Sequence, residues 1–194
     1  LDHFRGFVDY WEIPAGMPTA VVGRWMPGPG RAFFEAIRNA LGDLPIIAED
    51  LGEINKEVYK LRDDLNLPGM KIFQFAFGKG PEDDFLPHNY PTNCIAYTGP
   101  HDNDTAVGWY HTATEKEKDF CRRYLNTSGK NIAWDMIRWV WESVASIAIA
   151  PLQDFLEKGS EARMNFPGKA SGNWCWRFQN HEITEHLIQR ITEI

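Results

Sequence analysis

Pro45-Ile46-Ile47-Ala48-Glu49-Asp50-Leu51-Gly52 is a short apolar run that ends abruptly in two acids. Gly42 and Asp43 precede it, and a helix-like stretch from Ile54 to Leu67 follows, which is the pattern of a buried strand feeding a βα loop. Glu49 then stands at the strand's carboxyl end. In barrels of parallel strands wrapped by helices, that is the end where side chains converge on substrate. A carboxylate capping the next helix is the plain alternative, and it weighs equally for one strand taken alone. What favours chemistry is that the same grammar recurs along the chain.

On the amino-terminal side, Arg31 to Leu41 predicts a helix with Phe33, Phe34, Ile37 and Leu41 as its apolar stripe, ended by Gly42. Leu1-Asp2 would be the last residues of a strand, and His3 to Gly30 a long loop broken repeatedly by glycine and proline. On the carboxyl side, the helix from Ile54 to Leu67 is stopped by Pro68-Gly69, and Met70 to Phe77 is rich in β-forming aromatics. Cys94 to Tyr97 is a further strand, running into Thr98-Gly99-Pro100-His101-Asp102-Asn103-Asp104-Thr105. Thr114 and Glu117 have capping-box spacing and start a helix through about Leu125; a second runs from Ile132 to Ser146. Ile147 to Leu152 is a last strand, followed by a loop from Gly159 to Arg177 and a terminal helix from Thr184 to Ile194.

This order is α/β with a parallel sheet. A complete (β/α)8 barrel takes about 250 residues. The 194 residues therefore suit its carboxyl-terminal half, about strands 4 to 8. The chain starts at Leu1 without Met, directly inside an apparent motif. The expectation is a fragment, residues 1–194 being a partial catalytic barrel domain whose amino-terminal half and subdomains are absent.

Composition narrows the partners. The hydrophobic share of 43% and charged share of 24% are those of an ordinary folded chain, and the net charge of −7 argues against nucleic acid or an anionic membrane. A neutral substrate suits it better. No apolar run is long enough to span a bilayer. Cys94, Cys121 and Cys175 lack metal or redox spacing and read as reduced, mostly buried thiols, which mildly favours an intracellular compartment. No metal site or cofactor is indicated.

Three acids, Asp2, Glu49 and Asp102, each end a strand or begin the loop after one, and parallel strands would bring them to one rim. Cleavage of a glycosidic bond needs such a set. One carboxylic acid protonates the leaving oxygen, and one carboxylate attacks or steadies the cationic sugar carbon. Crowding like charges raises the pKa of one member, which keeps an acid protonated near neutral pH. Trp134, Ile137, Trp141 and Val144 recur at helical spacing and read as core. Trp25, Trp174 and Trp176 sit in Gly/Pro-rich stretches, where stacking on a sugar and burial under the loop are equally open.

Five stretches carry a family resemblance: Leu1 to Phe7; Ile47 to Gly52; Leu67 to Lys71 with Gln74 to Phe77; Tyr97 to Thr105; and Ala162 to Asn165 with Pro167-Gly168 and Gly172-Asn173-Trp174. Together, and in this order, they resemble the 4-α-glucanotransferases of glycoside hydrolase family 77. The resemblance implies a (β/α)8 barrel, Asp2 as nucleophile, Glu49 as general acid/base and Asp102 as the transition-state-stabilising acid. It implies His3 and His101 as sugar-binding histidines, Phe75 as an aromatic floor, and Asn165 on a loop lining the substrate groove. Without the resemblance, His3 and His101 would read as hydrogen-bonded loop residues.

The implied substrates are malto-oligosaccharides, amylose or starch-like α-1,4-glucans, with cytoplasm or plastid as the compartment. Pro100 stands where the family would have a less rigid residue. An Arg two residues before Asp2 and an earlier Asp are also implied, and both would precede Leu1. The 194-residue polypeptide is accordingly expected to release no glucose from maltotriose. An α-amylase-type hydrolase and a non-catalytic glucan-binding protein are the alternatives.

Overall fold

The computed structural model describes residues 1–194 and divides the chain into two compact units, Leu1–Met70 and Lys71–Ile194. The first opens with a tight 3-10 turn, Phe4–Phe7, and then an antiparallel pair, β1 (Asp9–Glu12) and β2 (Arg24–Pro27), in the register Asp9↔Pro27 to Glu12↔Arg24. The continuous loop expected over His3 to Gly30 is thus corrected. Tyr10, Trp11 and Trp25 are β-forming residues, and Trp11 and Trp25 face each other edge-on across the pair, ring centroids 5.3 Å apart. Glycine matters here for close approach: a Cβ on Gly28 would sit 2.4 Å from the Gly6 carbonyl oxygen.

Helix α1 (Gly30–Leu41) ends as expected at Gly42, whose φ of +78° suits glycine and whose N–H bonds the Arg38 carbonyl. Helix α2 (Lys56–Asp64) is shorter than predicted, because the Asn55 side chain accepts from Val58 N–H and caps it there, leaving Ile54 outside. Phe4, Phe34, Ala48 and Val58 form the buried core of this unit, with Phe7, Phe33, Ile54, Leu61 and Leu65 packed around them.

The run Leu44 to Ala48 forms no regular strand, contrary to expectation. Its end is nonetheless held as a strand would be. Leu1 donates to the Ile47 carbonyl (2.6 Å) and accepts from Glu49 N–H (2.9 Å), the offset of a parallel pair around Ala48. From the other side, Ala48 N–H donates to the Pro68 carbonyl (2.9 Å). Pro45 and Pro68 have no N–H to extend a ladder, so the pairing stays local.

Strand β3 (Gly69–Ile72) leads into the second unit. The sheet order is β3-β4-β5, with β4 (Cys94–Tyr97) parallel to β5 (Ile147–Ile149). The strand expected over Met70 to Phe77 stops at Ile72, and Phe73–Phe75 is a 3-10 turn. The reason is spacing: Phe73, Ala76 and Phe77 are all buried, which an alternating strand cannot achieve and a turn can.

Helix α3 (Ala106–Thr112), capped by the Thr105 side chain, was not anticipated; α4 (Glu115–Leu125) carries the predicted capping box of Thr114 and Glu117. Helix α5 (Ile132–Trp141) buries Trp134 and Ile137 but ends before Val144, which is exposed. Pro151 then starts the short α6 (Leu152–Phe155) where a strand was predicted to continue. The 159–177 stretch is loop apart from a 3-10 turn at Ser160–Ala162, and α7 (Glu185–Thr192) starts at its Thr184 cap. Phe73, Phe77, Cys121, Met136 and Val140 are among the core residues of this unit. Cys94 and Cys121 are buried and Cys175 is exposed. No helix is long and apolar enough to cross a membrane.

Candidate active site

In the first unit, Asp2, His3 and Glu49 meet at one backbone amide. His3 adopts a left-handed conformation (φ 49°, ψ 52°), which turns its N–H toward two carboxylates at once. That N–H lies 3.0 Å from Asp2 Oδ1 and 2.8 Å from Glu49 Oε2. A shared donor keeps the two oxygens within about 6 Å of each other, the scale of the roughly 5–5.5 Å between the carboxyls of retaining glycosidases. Glu49 Oε1 accepts from Leu51 N–H (2.9 Å), so both of its oxygens are aimed by backbone. Asp2 is exposed and Glu49 half-buried.

The next residue fixes this strand end in place. Asp50 is buried, its Oδ2 is 2.5 Å from Arg62 Nη1, and its Oδ1 accepts from Met70 N–H (2.8 Å). Gly69 is required beside it, since a Cβ there would lie 2.4 Å from Asp50 Oδ2.

In the second unit, His101, Asp102 and Asn165 are brought together from distant positions in the chain. Asn165 Nδ2–H donates to Asp102 Oδ1 (2.6 Å), and His101 Nε2 lies 3.3 Å from the same oxygen. Arg163 spans the loops by donating to the Asp102 carbonyl (2.6 Å) and the Asn165 carbonyl (2.9 Å), with its guanidinium 4.3 Å over the Phe166 ring. The exposed Trp174 ring stands 4.9 Å from that of His101, on a backbone with φ of +62°. Pro100 begins the turn, its carbonyl accepting from Asn103 N–H (3.0 Å). Gln74 fills the inside of this loop, accepting from Asn103 Nδ2–H (3.0 Å) and donating to the Asp104 carbonyl (2.9 Å).

Phe75 is exposed and lies edge-on to Phe85, at 5.4 Å; these contacts are separate from the His101–Asp102–Asn165 set. Trp25 is exposed with the Arg5 guanidinium 4.3 Å over its ring, and Trp176 is half-buried. Arg163, Gln74 and Asp154 had no role in the sequence reading. Arg163 and Gln74 both lie within the family-like stretches, but Asp154 carried no signal beyond a carboxylate in an apolar stretch. Asp154 is fully buried and its pKa is pushed up to about 6 by burial, with the charge of Asp104 adding; bonds from Thr98 and Ala106 pull the other way.

Residues 1–184 match the family described as 4-alpha-glucanotransferase. The chain is 52% identical over 195 residues to the 4-alpha-glucanotransferase of Thermus thermophilus, covering 96% of this chain and 39% of that protein. It is 45% identical over 188 residues to a chloroplastic/amyloplastic 4-alpha-glucanotransferase of Arabidopsis thaliana, covering 96% and 33%. Similar proteins thus include bacterial and plastid members. Among solved structures it is similar to an amylomaltase from Streptococcus agalactiae in complex with acarbose, with a TM-score of 0.94 at 39% identity, covering 99% of this chain and 39% of that one. The chain spans well under half the length of these relatives, which agrees with the expectation of an α/β chain forming part of a (β/α)8 barrel.

Proposed function

We propose, because this chain belongs to the 4-alpha-glucanotransferase family, that it supplies the carboxylates of a retaining transfer of α-1,4-glucan segments from donor to acceptor. The observation that carries this reading is the single His3 N–H within hydrogen-bond reach of both Asp2 and Glu49. That closeness suits a nucleophile and its acid/base partner, whose carboxyl groups lie roughly 5–5.5 Å apart in retaining enzymes.

Asp2 displaces the glucan at the anomeric carbon while Glu49 protonates the departing oxygen. Glu49 then takes the proton from the 4-hydroxyl of an acceptor glucan, and attack of that oxygen frees Asp2 with net retention. Asp102, with His101 and Asn165 on its carboxylate side, steadies the sugar as positive charge develops. His3 contributes hydroxyl contacts, Phe75 an aromatic floor, and the loop of Asn165 excludes water so that acceptor glucan wins. The substrates are malto-oligosaccharides and starch-like α-1,4-glucans, and the setting is a cytoplasm or a plastid.

The test is a Thermus thermophilus 4-alpha-glucanotransferase in which the segment similar to residues 1–194 is replaced by this chain. Given maltotriose, it is expected to yield glucose together with oligosaccharides longer than the substrate. Glucose and maltose with nothing longer would favour a hydrolase. Glucan binding without any product would favour a non-catalytic binding protein.

A further inference from the structure

The loop that carries His101 and Asp102 is closed at its base by one carboxylate. Asp154, on α6 and wholly buried, accepts from Thr98 Oγ1–H (2.5 Å) at the end of β4 and from Ala106 N–H (2.8 Å) at the start of α3. Those two residues are where the loop leaves the sheet and where it enters the next helix. Each carboxylate oxygen holds one end, so the ends cannot part without a buried acceptor losing its donor.

The neighbouring residue does the same for the other half of the Asp102 pair. Gln153, also buried, donates from Nε2 to the Ala162 carbonyl (3.2 Å), at the turn from which Arg163 and Asn165 emerge. Ser160, at the start of that turn, donates to Asp104 Oδ2 (2.6 Å) on the Asp102 loop. Adjacent side chains of one short helix therefore set both loops whose meeting produces the bond from Asn165 to Asp102.

We propose that Asp154 is a positioning residue for Asp102 in the transfer reaction, an inference that rests on the glucanotransferase reading of that site. A buried carboxylate is a costly group to carry on a four-residue helix. What it provides that an amide cannot is two equivalent acceptors, one for each end of the loop. Asp154 touches no reacting atom; it acts by fixing the loop on which Asp102 rides.

The test uses isotope-labelled protein of all 194 residues and follows the side-chain amide protons of Asn165 by NMR. In the unsubstituted protein the bond to Asp102 is expected to hold these two protons further apart in shift than those of the exposed Asn126. In D154N they are expected to collapse to the solvent-like separation, while the methyl resonances of Met136 and Ile137 in α5 stay in place. T98V, which removes one of the two donors, is expected to shift them the same way by a smaller amount.

An unmoved Asn165 amide in a folded D154N overturns the proposal. Loss of the α5 methyl dispersion in both variants also overturns it, because Asp154 would then be an ordinary structural residue. Maltoheptaose added to the unsubstituted protein reads the function separately. If it leaves His101 and Asn165 unshifted while D154N moves Asn165, the glucan reading falls and takes the catalytic purpose of the staple with it.

Discussion

In the first unit, Asp2 and Glu49 are aimed by backbone amides, those of His3 and Leu51; in the second, Asp102 is aimed by side chains, Asn165 on its carboxylate and Arg163 on its carbonyl. Backbone amides survive most substitutions, so the first arrangement depends on chain conformation more than on side-chain identity. Side-chain donors disappear with the residue that bears them. The second arrangement depends on four or five particular residues and on the buried carboxylate beneath them.

The comparison can be broken in order of effect size. The largest change is in turnover. In the Thermus chimera, Glu49→Gln is expected to lower transfer from maltotriose by about 10³-fold or more, since it removes general acid/base catalysis at both steps. Product chromatography checks this, and near-full activity would remove Glu49 from the mechanism.

A loss of stability comes next. Asp50→Ala leaves the largely buried Arg62 guanidinium with Asp63 as its remaining partner and Met70 N–H without its acceptor, and should cost about 2 kcal/mol in urea unfolding. A cost under about 1 kcal/mol, the range of surface pairs, would mean the ion pair does not anchor the Glu49 strand end.

The third test is pH. Asp154 has its pKa raised from 3.8 to about 6, so the folded protein keeps this proton to higher pH than the unfolded chain does. Its contribution to stability is present below about pH 4 and is lost as pH rises through about 6, amounting to about 3 kcal/mol at most. Urea midpoints between pH 4 and 7 should show this fall, and Asp154→Asn should remove the slope. An identical slope in the variant would assign it to other groups.

The smallest effect concerns His3. Its left-handed conformation is tolerable for glycine and strained for a β-branched residue, so His3→Val should cost about 1–3 kcal/mol while His3→Gly stays near neutral. Equal melting temperatures for the two variants would show that the shared amide does not depend on that conformation.

Much of the architecture was legible because local chemistry coincided with the final structure. Gly42 ends α1, Thr114 and Glu117 cap α4, and Cys94 to Tyr97 is a strand, each set within a few residues of sequence. Misreadings arose where burial overrode propensity. Phe73 to Phe77 looked like a strand from its aromatics, but burying Phe73, Ala76 and Phe77 together required a turn. The pair formed by β1 and β2 was hidden by the glycines and prolines around it, which punctuate the hairpin without preventing it.

For the site, sequence singled out Asp2, Glu49, Asp102, His3, His101, Asn165 and Phe75 because acids at strand ends and the quoted motifs are local features. What it could not convey is which donor each acid faces. That one N–H serves Asp2 and Glu49 depends on a backbone angle at His3, and that Asn165 and Arg163 reach Asp102 depends on two loops meeting about sixty residues apart in the chain. Asp154 is the clearest case: a carboxylate between Gln153 and Phe155 carries no local sign of its role, and only the packing of α6 against the ends of one loop makes it a buried double acceptor. Residue identity determines which groups can exchange protons; direction and desolvation, which decide whether they do, are set by neighbours that only the folded chain supplies.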